Sequence, residues 1–229
     1  MKIVRRHFWE INLDEAADLQ RTLAGELLCG PAPEKIELVA GADAAYDLQG
    51  GQVVAGVAVW DCRAGRVVDQ ALAARPIRFP YVSGFLTFRE GPALAAALEA
   101  ISSEPQVVIF DGQGQAHPRQ MGLAAHLGLF LQRPTVGCAK SLLFGRPGPL
   151  GQERGAWADL VHPAQDRVIG RVLRTRTGVK PVFVSPGHLA GLDWACDLIL
   201  DLAPKYRLPQ PIRAAHRLVT EQRSAVRPV

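Results

Sequence analysis

The chain predicts an α/β fold, with a mixed central sheet and helices on both faces. Three features of the sequence carry that expectation. Three β-rich runs succeed one another through short turns between residues 35 and 77, the pattern of an antiparallel meander. The later run Val107–Phe110 is apolar at every position, as in a parallel strand covered on both faces. From there strand and helix patterns alternate, which sets helices against the sheet.

Taken in order, residues 12–28 have helical spacing. Leu13, Ala16, Leu19, Leu23 and Leu27 fall on one side, Asn12 caps the start and Gly30-Pro31 ends it. The strands of the meander are "KIELVAGADAAYD", "QVVAGVAVWD" and "RVVDQALAARPI", joined by "LQGG" and "CRAG". "PYVSGFLTFREGP" is interrupted by Pro80, Gly84, Gly91 and Pro92 and reads as a functional loop ahead of a short helix, "ALAAALEAISS". The strand "QVVIFDG", the helix "RQMGLAAHLGLFL" and the buried strand "RPTVGCAK" follow. A glycine-rich loop runs from Phe144 to Gly155. Two strands, "DRVIGRVLRTR" and "KPVFVSPGH", the helix "LAGLDWACDLILDLA" and a tail from Pro204 complete the chain. A three-strand meander followed by strand–helix–strand–helix is the element order of the ribonuclease H-like fold. No repeat or low-complexity linker divides the 229 residues, so a single domain is expected, with its core over about residues 10–220.

Apolar residues make up 48% and charged residues 21%, the balance of a chain that buries a core. A net charge of +4 favours a polyanionic partner without requiring one. Of 26 basic residues only five are lysine; arginine suits bidentate phosphate contacts, although a GC-rich coding sequence gives the same bias. Cys29, Cys62, Cys138 and Cys196 form no Cys-x-x-Cys pair, which argues against zinc and for reduced thiols in a cytoplasmic protein. The first twenty residues lack the apolar core of a signal peptide, and no apolar run reaches the ~18 residues of a membrane span.

Chemistry concentrates in a few places. Asp43 lies inside an apolar strand, where an acid is costly unless paired or bound to a metal. Asp111 ends the strand "QVVIF", and parallel strands gather their sites at their C-terminal ends. If those two strands are neighbours, Asp43 and Asp111 face each other and a divalent ion between them would relieve the repulsion. Such a site suits phosphodiester hydrolysis. Glu90, in the loop after "FLTFR", is a third candidate. A strand-end aspartate is also an ordinary turn former or cap, so the case rests on the set. "DGQGQAHP" has Gly112 and Gly114 but His117 where a dinucleotide fingerprint needs its third glycine. The glycines still permit close approach by a flat ligand, and His117 can donate to a phosphate or simply open a helix. Lys140, before Ser141, stands at a strand end, where it can neutralise phosphate charge or serve as a surface lysine.

Five stretches together, "GADAAYD", "PYVSGFLTFREGP", "DGQGQAHPRQMGLAAHLGL", "VGCAKSLLFG" and "YRLPQPIRAAHRLV", resemble the endonuclease V family of deoxyinosine 3′-endonucleases over roughly residues 40–220. The resemblance implies a ribonuclease H-like fold and a Mg²⁺-dependent nuclease, with Mn²⁺ as a substitute. It would act on DNA containing deoxyinosine and cut the second phosphodiester bond 3′ to the hypoxanthine, leaving 3′-hydroxyl and 5′-phosphate ends. It implies Asp43 and Asp111 as main metal carboxylates with Glu90 beside them, His216 as a further metal-site residue, and Lys140 at the cleaved phosphate. Tyr81 would be a wedge in the duplex, filling the gap left by an extruded base. Gly84, Leu86 and Gly112 would line the base pocket, with Ser141 also in the DNA-binding set. Arg89, His117 and Arg119 would bind phosphates or support the site. The usual Pro-Tyr-Ile-Pro-Gly motif is here "PYVSG", so Ser83 frees backbone torsion beside the wedge. Six basic residues from Lys205 to Arg227 suit backbone binding, although the last six residues equally suit a solvated terminus. Two other readings stand beside this one: a family member preferring inosine in RNA, and a non-catalytic nucleic-acid binder, which would be expected to lack one or more of the acids. No membrane partner is expected, and the chain reads as a monomer with no protein partner indicated.

Overall fold

The computed structural model describes residues 1–31 and 33–225, with side chains up to residue 221; Arg227 and the side chain of Arg223, both counted in the basic tail, lie outside the described residues. Strands β1 (Leu38–Asp47), β2 (Gln52–Asp61) and β3 (Arg66–Pro76) form the expected meander. Strand β4 (Val107–Phe110) lies parallel to β1, and β5 (Thr135–Ala139) parallel to β4. Strands β6 (Arg146–Pro147), β7 (Trp157–Val161), β8 (Val168–Leu173) and β9 (Val182–Pro186) extend the sheet. The order is β3-β2-β1-β4-β5-β9-β8-β7-β6, and β9 returns antiparallel to β5.

Helices cover both faces. Along β4, Val108 and Phe110 point to one core and Val107 and Ile109 to the other. The first core is closed by α2 (Leu86–Ala100) and α3 (Leu123–Leu131), the second by α4 (Leu192–Asp201) and α5 (Gln210–Ala225). All four β4 residues are fully buried, and each such side chain contributes about 1.5–3 kcal/mol. Helix α1 (Leu13–Ala24) packs Leu23 against Ala125 and Leu129 of α3. Asn12 caps it in a capping box: the Glu15 amide donates to Asn12 Oδ1 at 3.0 Å and the Asn12 amide to Glu15 Oε2 at 2.9 Å.

Four elements differ from the sequence expectation. Helix α2 starts at Leu86, so Glu90 stands on a helix rather than in a loop. Pro92 removes one rung of its hydrogen-bond ladder, but Phe88, Leu94, Ala97 and Leu98 are all buried at helical spacing and hold the helix through it. Strand β7 lies beyond the glycine-rich loop, where "WADLV" alternates in burial, and β6 lies inside that loop. The tail from Gln210 is helical, with Ile212, Ala215 and Val219 buried on one face. Its seat requires glycine beneath it. A Cβ at Gly41 would overlap the Pro211 carbonyl, and one at Gly56 would lie 2.7 Å from Val219 Cγ1. That close approach of α5 to β1 and β2 fixes where His216 falls.

Candidate active site

Parallel pairing aligns Ala42 with Phe110, and the Asp111 amide donates to the Ala42 carbonyl at 3.0 Å. Asp43 and Asp111 are the next residues on two adjacent parallel strands, the neighbour arrangement that the sequence left conditional. From α5, His216 comes over β1 with Nδ1 2.7 Å from Asp43 Oδ2. Asp43, Asp111 and His216 each present a ligand atom within 4.8 Å of the others. Lys140, following β5, forms an ion pair with Asp111. Four elements distant in sequence therefore converge on one strand-end cluster.

The electrostatics of the cluster are strained. Burial, then the charge of Asp43, raises the Asp111 carboxyl to about 6, against the opposing pull of Lys140. Glu90 is not among the three groups within ligand distance of one another. It accepts a hydrogen bond from the Tyr46 hydroxyl at 2.6 Å, and burial raises it to about 8; Tyr46 opposes the rise, and the Asp43 and Asp111 charges add to it. Carboxylates that resist ionising together in this way fit a divalent cation. The set of carboxylate oxygens with one imidazole suits a hard or borderline ion such as Mg²⁺ or Mn²⁺.

Beside the cluster lies a cavity of about 420 Å³, lined by Tyr81, Gly84, Leu86, Gly112, Lys140 and Ser141 among others. Its wall is fixed through one atom. The Gly84 carbonyl accepts from Gln20 Nε2 at 3.1 Å, His117 Nε2 at 2.8 Å and Arg119 Nη2 at 2.8 Å. Gln20 Oε1 in turn accepts from Arg119 Nε at 2.6 Å. Gly84 has φ +81°, a conformation that favours glycine, and a Cβ there would crowd Arg119 Nη2 at 3.1 Å. On the outer rim Tyr81 is 75% exposed.

The hydrogen bonds favour the supporting alternative for His117, and Arg119 joins the same network through Nε and Nη2. His117 is buried, its Nε2 bonded to Gly84 and its Nδ1 accepting from the Arg119 amide at 3.1 Å, so neither ring nitrogen is left for a phosphate. Burial lowers its pKa to about 4, which keeps the ring neutral and able to donate and accept at once. Arg89 likewise donates to the Phe79 carbonyl at 2.6 Å and lies over the Tyr46 ring, tying the start of the Tyr81 loop to α2. Gly112 lines the cavity, whereas Gly114 serves packing: a Cβ there would overlap the Pro186 carbonyl. Two site residues escaped the sequence reading. Gln20 is fully buried on the apolar stripe of α1, four residues after Ala16 and three before Leu23, and a glutamine in that stripe was the signal. Tyr46 passes for an ordinary strand residue, and nothing in the sequence links it to Glu90.

Sheet order, strand-end carboxylates and cavity define a ribonuclease H-like nuclease. The family model for endonuclease V matches residues 21–217, so the chain belongs to the endonuclease V family. It is 48% identical to endonuclease V of Myxococcus xanthus over 218 residues, 95% of this chain and 92% of that protein. The crystal structure of endonuclease V from Streptomyces avermitilis superposes with a TM-score of 0.88 at 40% identity, over 98% of this chain and 99% of that one. Endonuclease V of Ciona intestinalis, solved with a 24-nucleotide DNA containing an inosine followed by a ribo-adenosine, superposes with a TM-score of 0.83 at 25% identity, over 94% and 99%. Among the described residues no helix is long and apolar enough to cross a membrane.

Proposed function

We propose that the protein is a metal-dependent repair endonuclease that recognises deoxyinosine in DNA and hydrolyses the second phosphodiester bond on its 3′ side, leaving 3′-hydroxyl and 5′-phosphate ends. The observation that carries this reading is the union of two things at the ends of the central strands: a carboxylate–histidine cluster, with Lys140 paired to Asp111, and a cavity of about 420 Å³ that Asp111 and Lys140 also line. Asp43, Asp111 and His216 would hold the ion, with Glu90 behind them. When bound, a divalent ion, Mg²⁺ with Mn²⁺ as substitute, supplies an activated water and neutralises charge on the leaving oxygen.

The remaining work falls to the chain. Lys140, already held beside Asp111, places a cation where the phosphate must lie. Tyr81, on the rim, fills the space an extruded base leaves in the stack. Gly84, Leu86 and Gly112 wall the pocket for that base with backbone and a small apolar surface. Guanine carries a 2-amino group that hypoxanthine lacks, so a tight wall excludes it by shape; adenine has an amine where hypoxanthine has O6 and no proton on N1, so backbone groups that match N1–H and O6 reject it by hydrogen-bond polarity. Gln20, His117 and Arg119 keep the wall tight.

End-labelled duplexes with and without deoxyinosine, and an inosine RNA of the same sequence, test the proposal in EDTA, Mg²⁺ and Mn²⁺. A metal-dependent cut one nucleotide beyond the lesion in DNA is expected. A cut confined to RNA moves the function to inosine-containing RNA, and binding with no cut in any strand refutes the catalytic reading.

A further inference from the structure

A second cavity, of about 530 Å³, opens on the other side of Lys140 and His216, between Trp60 of β2, the turn at Tyr206 and α5. Among the described residues its lining holds Lys140, Arg207, Arg213 and Arg217 and no acid. The cations are not equivalent. Lys140 is committed to Asp111. Arg207 donates through Nη2 to the backbone carbonyls of Lys140 and Pro181, so it holds the chain that carries Lys140. Arg213 makes no such commitment: its guanidinium lies 3.2 Å from the centre of the Tyr206 ring, which leaves its edge N–H groups free to face a ligand. Arg217 reaches Glu221 only at 3.9 Å with both side chains about 70% exposed, a pairing worth little. Arg213, His216 and Arg217 share one face of α5 at i, i+3 and i+4, so the helix that brings His216 to Asp43 also carries both of these weakly committed cations.

Lys140 lines both cavities, and the cluster stands between them. A strand whose base occupies the first cavity and whose backbone passes the carboxylates in the 3′ direction runs on into the second. We propose that this groove binds the strand on the 3′ side of the cut, with Arg213 and Arg217 on successive phosphates. The Tyr206–Arg213 stack and Trp60 give the nucleotide beyond the scissile bond a flat surface. The assignment rests on the endonuclease reading above and makes Arg213 and Arg217 positioning residues for that reaction.

The test uses single-stranded and duplex substrates with one deoxyinosine, whose 3′ flank is shortened stepwise to one nucleotide beyond the cut while the 5′ flank stays constant. Wild-type kcat/KM should fall as the flank shortens. In Arg213→Gln/Arg217→Gln, KM for the long substrate should rise about tenfold with little change in kcat, the further loss on shortening should vanish, and the salt dependence of binding should weaken by about two counterions. Both residues are at least partly exposed, so the fold should survive, and Arg5→Gln, in a separate cavity, controls for lost charge. Arg213→Lys, which keeps charge without the planar stack, should recover only part of the loss. Wild type that cuts while the double variant keeps full 3′-flank dependence overturns the groove assignment alone. Wild type that leaves every inosine strand intact overturns the endonuclease reading and this inference with it.

Discussion

The carboxylate cluster and the Gly84 cavity lie side by side, yet they are built in opposite ways. The cluster hangs its charges on strand ends and a helix, on positions that sheet pairing sets and that burial and mutual repulsion make unfavourable for ionised groups. The cavity wall is loop backbone, held by a neutral-histidine network with its hydrogen bonds made. A stiff frame keeps the reacting groups placed despite their repulsion, whereas a pinned loop makes a wall that depends on a few hydrogen bonds. Chemistry and recognition should therefore fail separately.

The largest effect should follow removal of a cluster carboxylate. Asp43→Ala or Asp111→Ala should cut single-turnover cleavage by on the order of 10²–10³-fold or more, with circular dichroism unchanged. Full activity in either variant would break the assignment of the cluster.

Next comes Glu90→Gln in chelator. The folded carboxyl sits at about 8 against an ordinary 4.5, so its contribution to stability is full below pH 4.5 and lost as pH rises to 8. The amide can still accept from Tyr46 and cannot ionise. The variant should be more stable than wild type at pH 8–9, by up to roughly 4 kcal/mol, and equal to it near pH 4. Urea unfolding at both pH values checks this, and a variant less stable at pH 9 would remove the strain from the cluster.

On the cavity side the sign reverses. His117 is lowered to about 4 from 6.5, so its contribution is complete above pH 6.5 and lost as pH falls to 4. Acid unfolding should cost on the order of 3 kcal/mol over that window, and His117→Gln should flatten the limb. His7 and His126, bonded Nε2 to Nε2 at 2.7 Å and lowered by burial, titrate in the same direction and leave a residual slope.

The smallest change in stability is expected for Gly84→Ala, about 1–3 kcal/mol, from its positive φ and the crowding of Arg119. Its functional effect should fall on discrimination: the ratio of cutting at deoxyinosine to cutting at deoxyadenosine should drop while chemistry on deoxyinosine persists. An unchanged ratio would separate Gly84 from recognition.

Much of this was legible in the sequence because it follows from short-range pattern. The unbroken apolar run of β4, the meander turns and the acids at strand ends mark a mixed sheet and single out Asp43 and Asp111, while the adjacency of their strands stayed conditional. What stayed hidden depends on long-range packing. Glu90 moved from loop to helix because Phe88, Leu94 and Leu98 outweigh Pro92, and proline punctuation is read locally. Helix α5 was masked by Pro209, Pro211 and a run of arginines, although Ile212, Ala215 and Val219 carry its spacing. The family motifs brought His117 and Arg119 to attention, and only their hydrogen bonds to the Gly84 carbonyl and, for Arg119, to Gln20 favour a bracing role.

The most direct measurement is equilibrium binding of Asp43→Ala to matched duplexes with deoxyinosine or deoxyadenosine at one position, alongside its cleavage rate. A preference for the deoxyinosine duplex equal to that of wild type, with cleavage gone, is the result predicted by a cluster that cuts and a separate wall that reads. Loss of the preference together with cleavage would contradict that division and make the two regions one.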